Sequence, residues 1–264
     1  MNTTITSTHA PFELPTGRLV RAYLTEIRSE FLRLARNPGY LAPMILLPLG
    51  LYLLFAVLIW GEAIAEKPEI GTFLFTGFAV LAVTMPALFG IGPALALDRE
   101  TRVVALRRAQ PAPTASWLVA KLVVGVVFCA LALLPMLVAA VVSGKLALAG
   151  SEIAMLAGGL LVGSLPFCAL GLLVGAFLGG SAAPVWANIL YLPGCYLSGL
   201  FFPLPESLHW QAPLWPQFHV SQLAMHAAGA EQYQFVPLQL SLAALIGVTV
   251  LAGAIAVWRV ARRG

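Results

Sequence analysis

Apolar residues follow two different spacings along this chain. Between Arg18 and Arg36 they recur every three or four positions, so that Val20, Tyr23, Leu24, Ile27, Phe31 and Leu34 share one helix face. Arg21, Arg28, Ser29, Arg33 and Arg36 cover most of the remainder. That pattern predicts a helix lying in a membrane interface, apolar face toward the acyl chains and arginines toward anionic headgroups. The alternative is a helix packed on protein. Asn37-Pro38-Gly39 forms an elbow, because proline disfavours helical backbone at the residue before it. Beyond the elbow the periodicity gives way to nearly unbroken apolar runs, at roughly 40–59, 72–97, 117–142, 152–178, 184–202 and 236–258. Each approaches the about 20 residues that a helix needs to cross a bilayer. Prolines 43, 48, 86, 93 and 135 fall inside these runs, where neighbouring helices can satisfy the freed carbonyls.

The polar interruptions carry the organisation. Asp98–Lys121 is the most charged stretch between the two ends of the chain. It reads as a short helix in water at one membrane face. Asp98 and Glu100 sit where a helix start favours anions, Arg107 and Arg108 where a helix end favours cations, and Pro111 and Pro113 stop it. Val103, Val104 and Leu106 give it an apolar docking face. A helix held between two spans can act as a lever. Residues 60–70 form a loop with Glu62, Glu66, Lys67 and Glu69; residues 143–151 form another with Lys145; residues 179–183 form a tight uncharged turn. Residues 203–235 are rich in proline, tryptophan and histidine, too broken for a span and too apolar for a loop. They predict a broken, re-entrant segment of short helices in the interface, where tryptophan is favoured.

Composition agrees: 60% hydrophobic and 10% charged residues exclude a soluble domain. The expectation is an all-α polytopic membrane protein with six transmembrane helices in one domain, residues 18–264. Residues 1–17 are polar and lack the basic start and apolar core of a cleaved signal peptide, and are expected to form a disordered cytosolic tail. With six spans both termini share a side. Of the 15 basic residues, only Lys67 and Lys145 then fall on the other. The bias of lysine and arginine places the termini and the lever in the cytoplasm and the chain in the plasma membrane. Cys129, Cys168 and Cys195 all lie in apolar runs and read as small apolar side chains.

Few motifs carry chemistry. Gly144-Lys145 lacks the upstream glycine and following hydroxyl of a phosphate-binding loop, and there is no His-Glu-x-x-His helix. His209, His219 and His226 fall near Glu206 and Glu231, but ordinary hydrogen-bonded interfacial histidines are expected there rather than a metal site. Ser164, Ser181 and Ser198 lack a neighbouring base, so no catalytic residue is assigned. Asn188 is the main polar side chain inside the spans, and the lack of intramembrane charge argues against an ion-coupled carrier. Gly159/Gly163 and Gly171/Gly175/Gly179 have the four-residue spacing that permits close helix approach.

This order of elements resembles the permease subunits of ABC transporters of the ABC-2 type, over nearly the whole chain from Arg18. Glu30, Arg36, Asn37 and Pro38 match the Glu…Arg-Asn-Pro end of that family's connecting helix. Arg99, Glu100, Leu106, Arg107, Pro111 and Lys121 match its Arg-Glu-x-Gly…Leu-Arg…Pro…Lys signature, although the glycine is replaced near Thr101-Arg102. Pro203, Leu208, Pro216 and His219 loosely match its re-entrant segment. The resemblance implies a dimer, with a second copy or a paralogue, carrying cytosolic ABC ATPase subunits. The lever becomes a coupling helix seated on the ATPase through Asp98, Arg99, Glu100, Leu106, Arg107 and Arg108. Glu30, Arg33 and Arg36 belong to the connecting helix; Pro203, Trp215, Pro216 and His219 form an outer gate. ATP and magnesium belong to the partner ATPase, with no cofactor in this chain and no nucleic-acid partner; membrane lipids are neighbours.

The function expected is therefore ATP-driven export of a lipid-like or amphipathic compound (drug, lipid or glycoconjugate), with a polysaccharide as the rival cargo. A small ion would find no replacement for its hydration shell between these walls. Three alternatives stand beside it. The charged stretch could be an ordinary basic loop, the chain could be an intramembrane lipid-modifying enzyme, or it could be a non-transporting membrane subunit.

Overall fold

The computed structural model describes residues 16–108, 114–146 and 148–263. Among these residues the regular structure is entirely helical. The α-helices are α1 (Thr16–Ala35), α2 (Pro38–Tyr52), α3 (Gly61–Glu66), α4 (Pro68–Glu100), α5 (Val103–Arg108), α6 (Thr114–Val142), α7 (Gly150–Gly163), α8 (Leu165–Phe177), α9 (Ala182–Leu197), α10 (Pro216–Ala227) and α11 (Leu238–Arg263). The residues Leu53–Ile59 continue α2 with π-helical geometry.

α4 is the axis. It is apolar on every side, as a helix surrounded by protein must be. It packs against α2, α6, α8, α9 and α10. Close approach to α8 depends on glycine. A Cβ at Gly175 would stand 2.4 Å from the Gly92 carbonyl oxygen, and one at Gly171 would stand 2.9 Å from that of Ala87. Gly163 lets α7 approach Val220 of α10 in the same way. Gly159 has only ordinary contacts.

Five helical stretches are long and apolar enough to cross a membrane: Pro38–Ile59, Pro68–Glu100, Ser116–Val142, Gly150–Phe177 and Leu238–Arg262. The fourth breaks at Ser164, whose hydroxyl donates to the Leu161 carbonyl just before Pro166 removes a backbone donor. The expected fifth span, 184–202, is shorter in the structure. α9 has 16 residues, about 24 Å at 1.5 Å per residue, against a hydrocarbon core of about 30 Å. Its chain then turns at Gly199 (φ 72°), and the Leu200 carbonyl oxygen lies where a Cβ on Gly77 would be. Gly77 is well inside α4, so the chain leaves the helical course of α9 alongside the body of α4.

Three sequence expectations are corrected at the opposite end. The amphipathic helix does not turn its whole apolar face to lipid. In its second half Phe31 stacks on Phe128 of α6 with centroids 5.4 Å apart, and Leu34 is buried with Val124. Only its first half keeps Val20 and Leu24 exposed. The helix also begins at Thr16, inside the stretch expected as a tail; residues 1–15 lie outside the described residues. The lever does not begin at Asp98, because α4 runs on through Glu100. The separate helix is α5, six residues long. Pro111 and Pro113 lie outside the described residues.

The glycine contacts give a direct test. Gly175→Val should destabilise by about 1–3 kcal/mol through overpacking against the Gly92 carbonyl, read as a lower unfolding temperature in detergent. Gly158→Ala, where a Cβ meets nothing within 4 Å, should leave it unchanged or raise it.

Candidate functional site

The charged end of the bundle is organised by four side chains in a closed ring. Lys121 Nζ lies 2.9 Å from Glu30 Oε1 and 2.8 Å from Asp98 Oδ2. Arg33 completes the circuit, with Nη2 2.5 Å from Glu30 Oε1 and Nη1 2.8 Å from Asp98 Oδ1. Two carboxylates and two cations balance. Lys121 has no exposed side-chain surface, whereas Arg33 is about a third exposed and forms the ring's open side. The ring joins α1, α4 and α6. It also resolves a conflict at Asp98, an anion near the C-terminal end of α4, where the helix dipole disfavours it. The expectation that Asp98 and Lys121 sit in water is thus overturned: the two helices cross close enough to bury both.

Arg107 of α5 pairs with Glu26 of α1. Its guanidinium also lies over the Trp117 ring at 5.8 Å, and the Lys121 ammonium lies over it at 5.2 Å. Arg99 and Glu100 point to a different place, the turn between α8 and α9. Arg99 Nη1 donates to the Gly175 and Leu178 carbonyls (2.9 and 3.4 Å), satisfying the end of α8. Glu100 accepts from the Gly180 amide at 2.9 Å, just before α9 begins. So the six residues expected to face a partner divide. Asp98, Arg99, Glu100 and Arg107 are held by other parts of the chain. Leu106 is 66% exposed. Arg108 lies within α5, but its side chain is outside the described residues. Arg36 of the connecting helix is exposed, unlike Glu30 and Arg33.

Between α4 and α5, Arg102 adopts φ 58°, a left-handed conformation that costs a side-chain-bearing residue about 1–2 kcal/mol. This is the position at which the signature has glycine.

At the other end, residues 203–236 form a hydrogen-bonded cap. Trp215 Nε1 donates to Gln211 Oε1 (2.8 Å), and Gln211 Nε2 donates to the Leu197 carbonyl (2.7 Å), which ties the cap to the end of α9. Pro216 opens α10. Gly194 of α9 leaves room for Trp215 and Gln217. His219 is buried; its Nε2 donates to the Pro213 carbonyl (2.9 Å), which leaves Nδ1 to accept from the Ser241 hydroxyl (3.3 Å). His209 and His226 likewise donate to backbone carbonyls, of Leu204 and Val236. Among the described residues no three His, Cys, Asp or Glu side chains are grouped to hold a metal. Pro203 is exposed, apart from Trp215, Pro216 and His219, which cluster at the start of α10.

Between the two ends a groove of about 370 Å³ runs between α2 and α9, floored by Phe78, Leu81 and Met85 of α4. Asn188, Tyr191 and Tyr196 are its polar points. The Tyr191 hydroxyl donates to Thr84 Oγ1 (2.6 Å), which itself donates to the Val80 carbonyl. Sequence reading found Asn188 and missed this buried pair, because a lone Thr and a lone Tyr in separate apolar runs give no pattern.

A bundle of helices long and apolar enough to cross a membrane, with a charged end and a polar cap, is a multi-pass membrane protein in class. The family model of the ABC-2 type transporter matches residues 21–225, and the chain belongs to that family. It is a multi-pass transmembrane permease of an ABC transporter, from a family that associates with ABC ATPases. Among curated proteins there is no significant match to the chain.

The ring predicts a large effect from a small change. Lys121→Met leaves two buried carboxylates against one cation and should destabilise by about 3–5 kcal/mol. Adding Asp98→Asn should recover part of that loss, measured by thermal unfolding in detergent. Arg102→Gly should raise the unfolding temperature or leave it unchanged, since relief of the left-handed strain offsets the greater freedom of glycine when unfolded.

Proposed function

We propose that this chain is the membrane half of an ATP-driven exporter that moves a lipid-like or amphipathic compound out of the cytoplasm. The observation that carries the reading is the groove between α2 and α9. Its lining is mostly apolar, and its hydrogen-bonding side chains are few: Asn188, Tyr191 and Tyr196, of which Tyr191 is already bonded to Thr84. An amphipathic molecule could lay its apolar body there and lose little hydration, whereas an ion or glycan would be stripped of water without replacement. Six crossings are proposed, with α9 as a short fifth. Both termini and α5 then lie in the cytoplasm of an inner-membrane protein, in keeping with the basic bias of that end. The dimer, with a second copy or a paralogue, is part of the same proposal, and the ATP and magnesium sites belong to the ATPase.

Coupling is assigned to α5. Arg107 tethers it to α1, whose Glu30 and Arg33 belong to the ring, so a push on α5 reaches the ring and hence α4 and α6. Leu106 is its free contact for the ATPase. Replacing Glu100 or Arg107 does not isolate coupling, because Glu100 holds the α8–α9 turn and Arg107 holds α1. Leu106→Asp should shift stability by no more than about 0.5 kcal/mol and abolish co-purification with the ATPase. Retained co-purification removes α5 as the docking helix.

Cargo is tested by reconstituting the permease with its ATPase in liposomes. Lipids or amphipathic drugs should stimulate ATP hydrolysis, and stimulation by soluble glycans alone would overturn the reading.

A further inference from the structure

The cap encloses a second space, separate from the groove. A cavity of about 420 Å³ lies between α4, the Gly199–Leu200 turn, α10 and the 232–236 stretch. That volume is within the range of small-ligand sites, about 300–1,000 Å³. Its floor is buried, at Gly77, Leu200, Phe218 and Met225. Its mouth is exposed, at Pro203, His209, Gln232 and Phe235. The space therefore runs from an exposed mouth to a buried floor on α4, at Gly77.

The polar groups around it are already engaged in holding its walls. Ser221 Oγ donates to the Phe218 carbonyl (2.8 Å). Gln222 is fixed at both ends: Nε2 donates to the Tyr233 carbonyl (3.0 Å) and Oε1 accepts from the Phe235 amide (2.7 Å). Phe73 faces Tyr233 at 5.0 Å, and His209 faces Phe235 at 5.7 Å. No charged residue is among the described residues that line it. Such a lining gives a buried ionic or sugar group nothing to replace its water. With these polar groups engaged by the chain itself, the remaining surface of the cavity favours an apolar guest.

We propose that this cavity binds one acyl chain of a phospholipid from the adjoining leaflet. The end of the chain rests on Gly77 and Met225, and the head lies at the mouth by His209 and Gln232. Three features select this occupant: an exposed mouth above a buried apolar floor, buried wall polar groups at Ser221 and Gln222 that are already bonded within the chain, and a surrounding bilayer that supplies the ligand at high concentration. The site serves the cap rather than the groove, so it stands whether or not the exported compound is amphipathic. A seated chain fills the space between α4 and α10 and fixes the cap against the axis of the bundle.

The test uses the purified full-length chain in phosphatidylcholine nanodiscs, with lysophosphatidylcholine bearing a photoactivatable diazirine in its acyl chain. Cross-links should appear on Phe218 and Met225 in the cavity, in addition to exposed Ile246 and Val250 of α11, which report bulk lipid. Ser221→Phe, which places a ring in the cavity, should lose the first pair and keep the second. Cross-links on α11 alone in the unaltered chain, or cavity cross-links that survive in the variant, overturn the proposal. A second measurement does not depend on the folding of that variant. The three native cysteines are buried, so His209→Cys introduces one reactive thiol at the mouth. Saturating lysophosphatidylcholine should slow its reaction with a maleimide; an unchanged rate overturns the site.

Discussion

The charged end of this permease depends on a lysine that reaches no water. An unpaired ammonium in that position is prohibitive, and one carboxylate would leave a second partner's geometry free. Lys121 takes both Glu30 and Asp98, which belong to different helices, and Arg33 neutralises the remainder. Attraction and desolvation together demand that α1, α4 and α6 meet in one arrangement. The stacking of Phe31 on Phe128 and the burial of Leu34 and Tyr40 with Val124 follow once that register is set. Arg107, bound to Glu26 and lying over the same tryptophan as Lys121, extends the arrangement to α5.

Ion pairs and backbone caps divide the work at this end. The ring fixes the helices laterally. Arg99 and Glu100, adjacent in sequence, fix them along their length by satisfying the last carbonyls of α8 and the Gly180 amide before α9. Both contacts are made by side chains on the final turn of α4. Movement of α4 along its axis therefore strains the α8–α9 turn and the ring at once. The axis helix has little freedom elsewhere, since glycine contacts lock it to α8.

Much of this was legible in the sequence. Apolar run length located α2, α4, α6, α7–α8 and α11, because a helix surrounded by lipid or apolar protein needs no periodicity. The four-residue spacing of Gly171 and Gly175 signalled close packing that the structure contains. What could not be read was pairing. Lys121 and Asp98 look like any charges beside a membrane until the crossing of α4 and α6 is known. One signal was present: Glu30 lies on the same face as Ile27, Phe31 and Leu34, and an acid on the apolar side of a helix calls for a buried cation. The extent of α9 was also hidden. Hydropathy continues through Phe202, but the chain stops being helical at Leu197, where Gly199 and the tie from Gln211 to the Leu197 carbonyl redirect it. The short helices of the cap were expected, but its internal bonding escaped reading for a related reason. Its order rests on side-chain amides of Gln211, Gln217 and Gln222 bonding to backbone groups, which no periodicity announces.

The shortness of α9 bears on the bilayer itself. In the six-crossing arrangement, lipids beside α9 meet an apolar wall several ångströms lower than the one beside α4 or α6. A membrane answers such a mismatch by thinning locally or by letting polar flanks dip inward, at a modest cost per ångström. The groove opens between α9 and α2, so in the proposed six-crossing arrangement the thinned region would coincide with it. A headgroup crossing there has less hydrocarbon to traverse than anywhere else around the protein. For the proposed amphipathic cargo, part of the barrier would then be lowered by the length of one helix, before any ATP is hydrolysed.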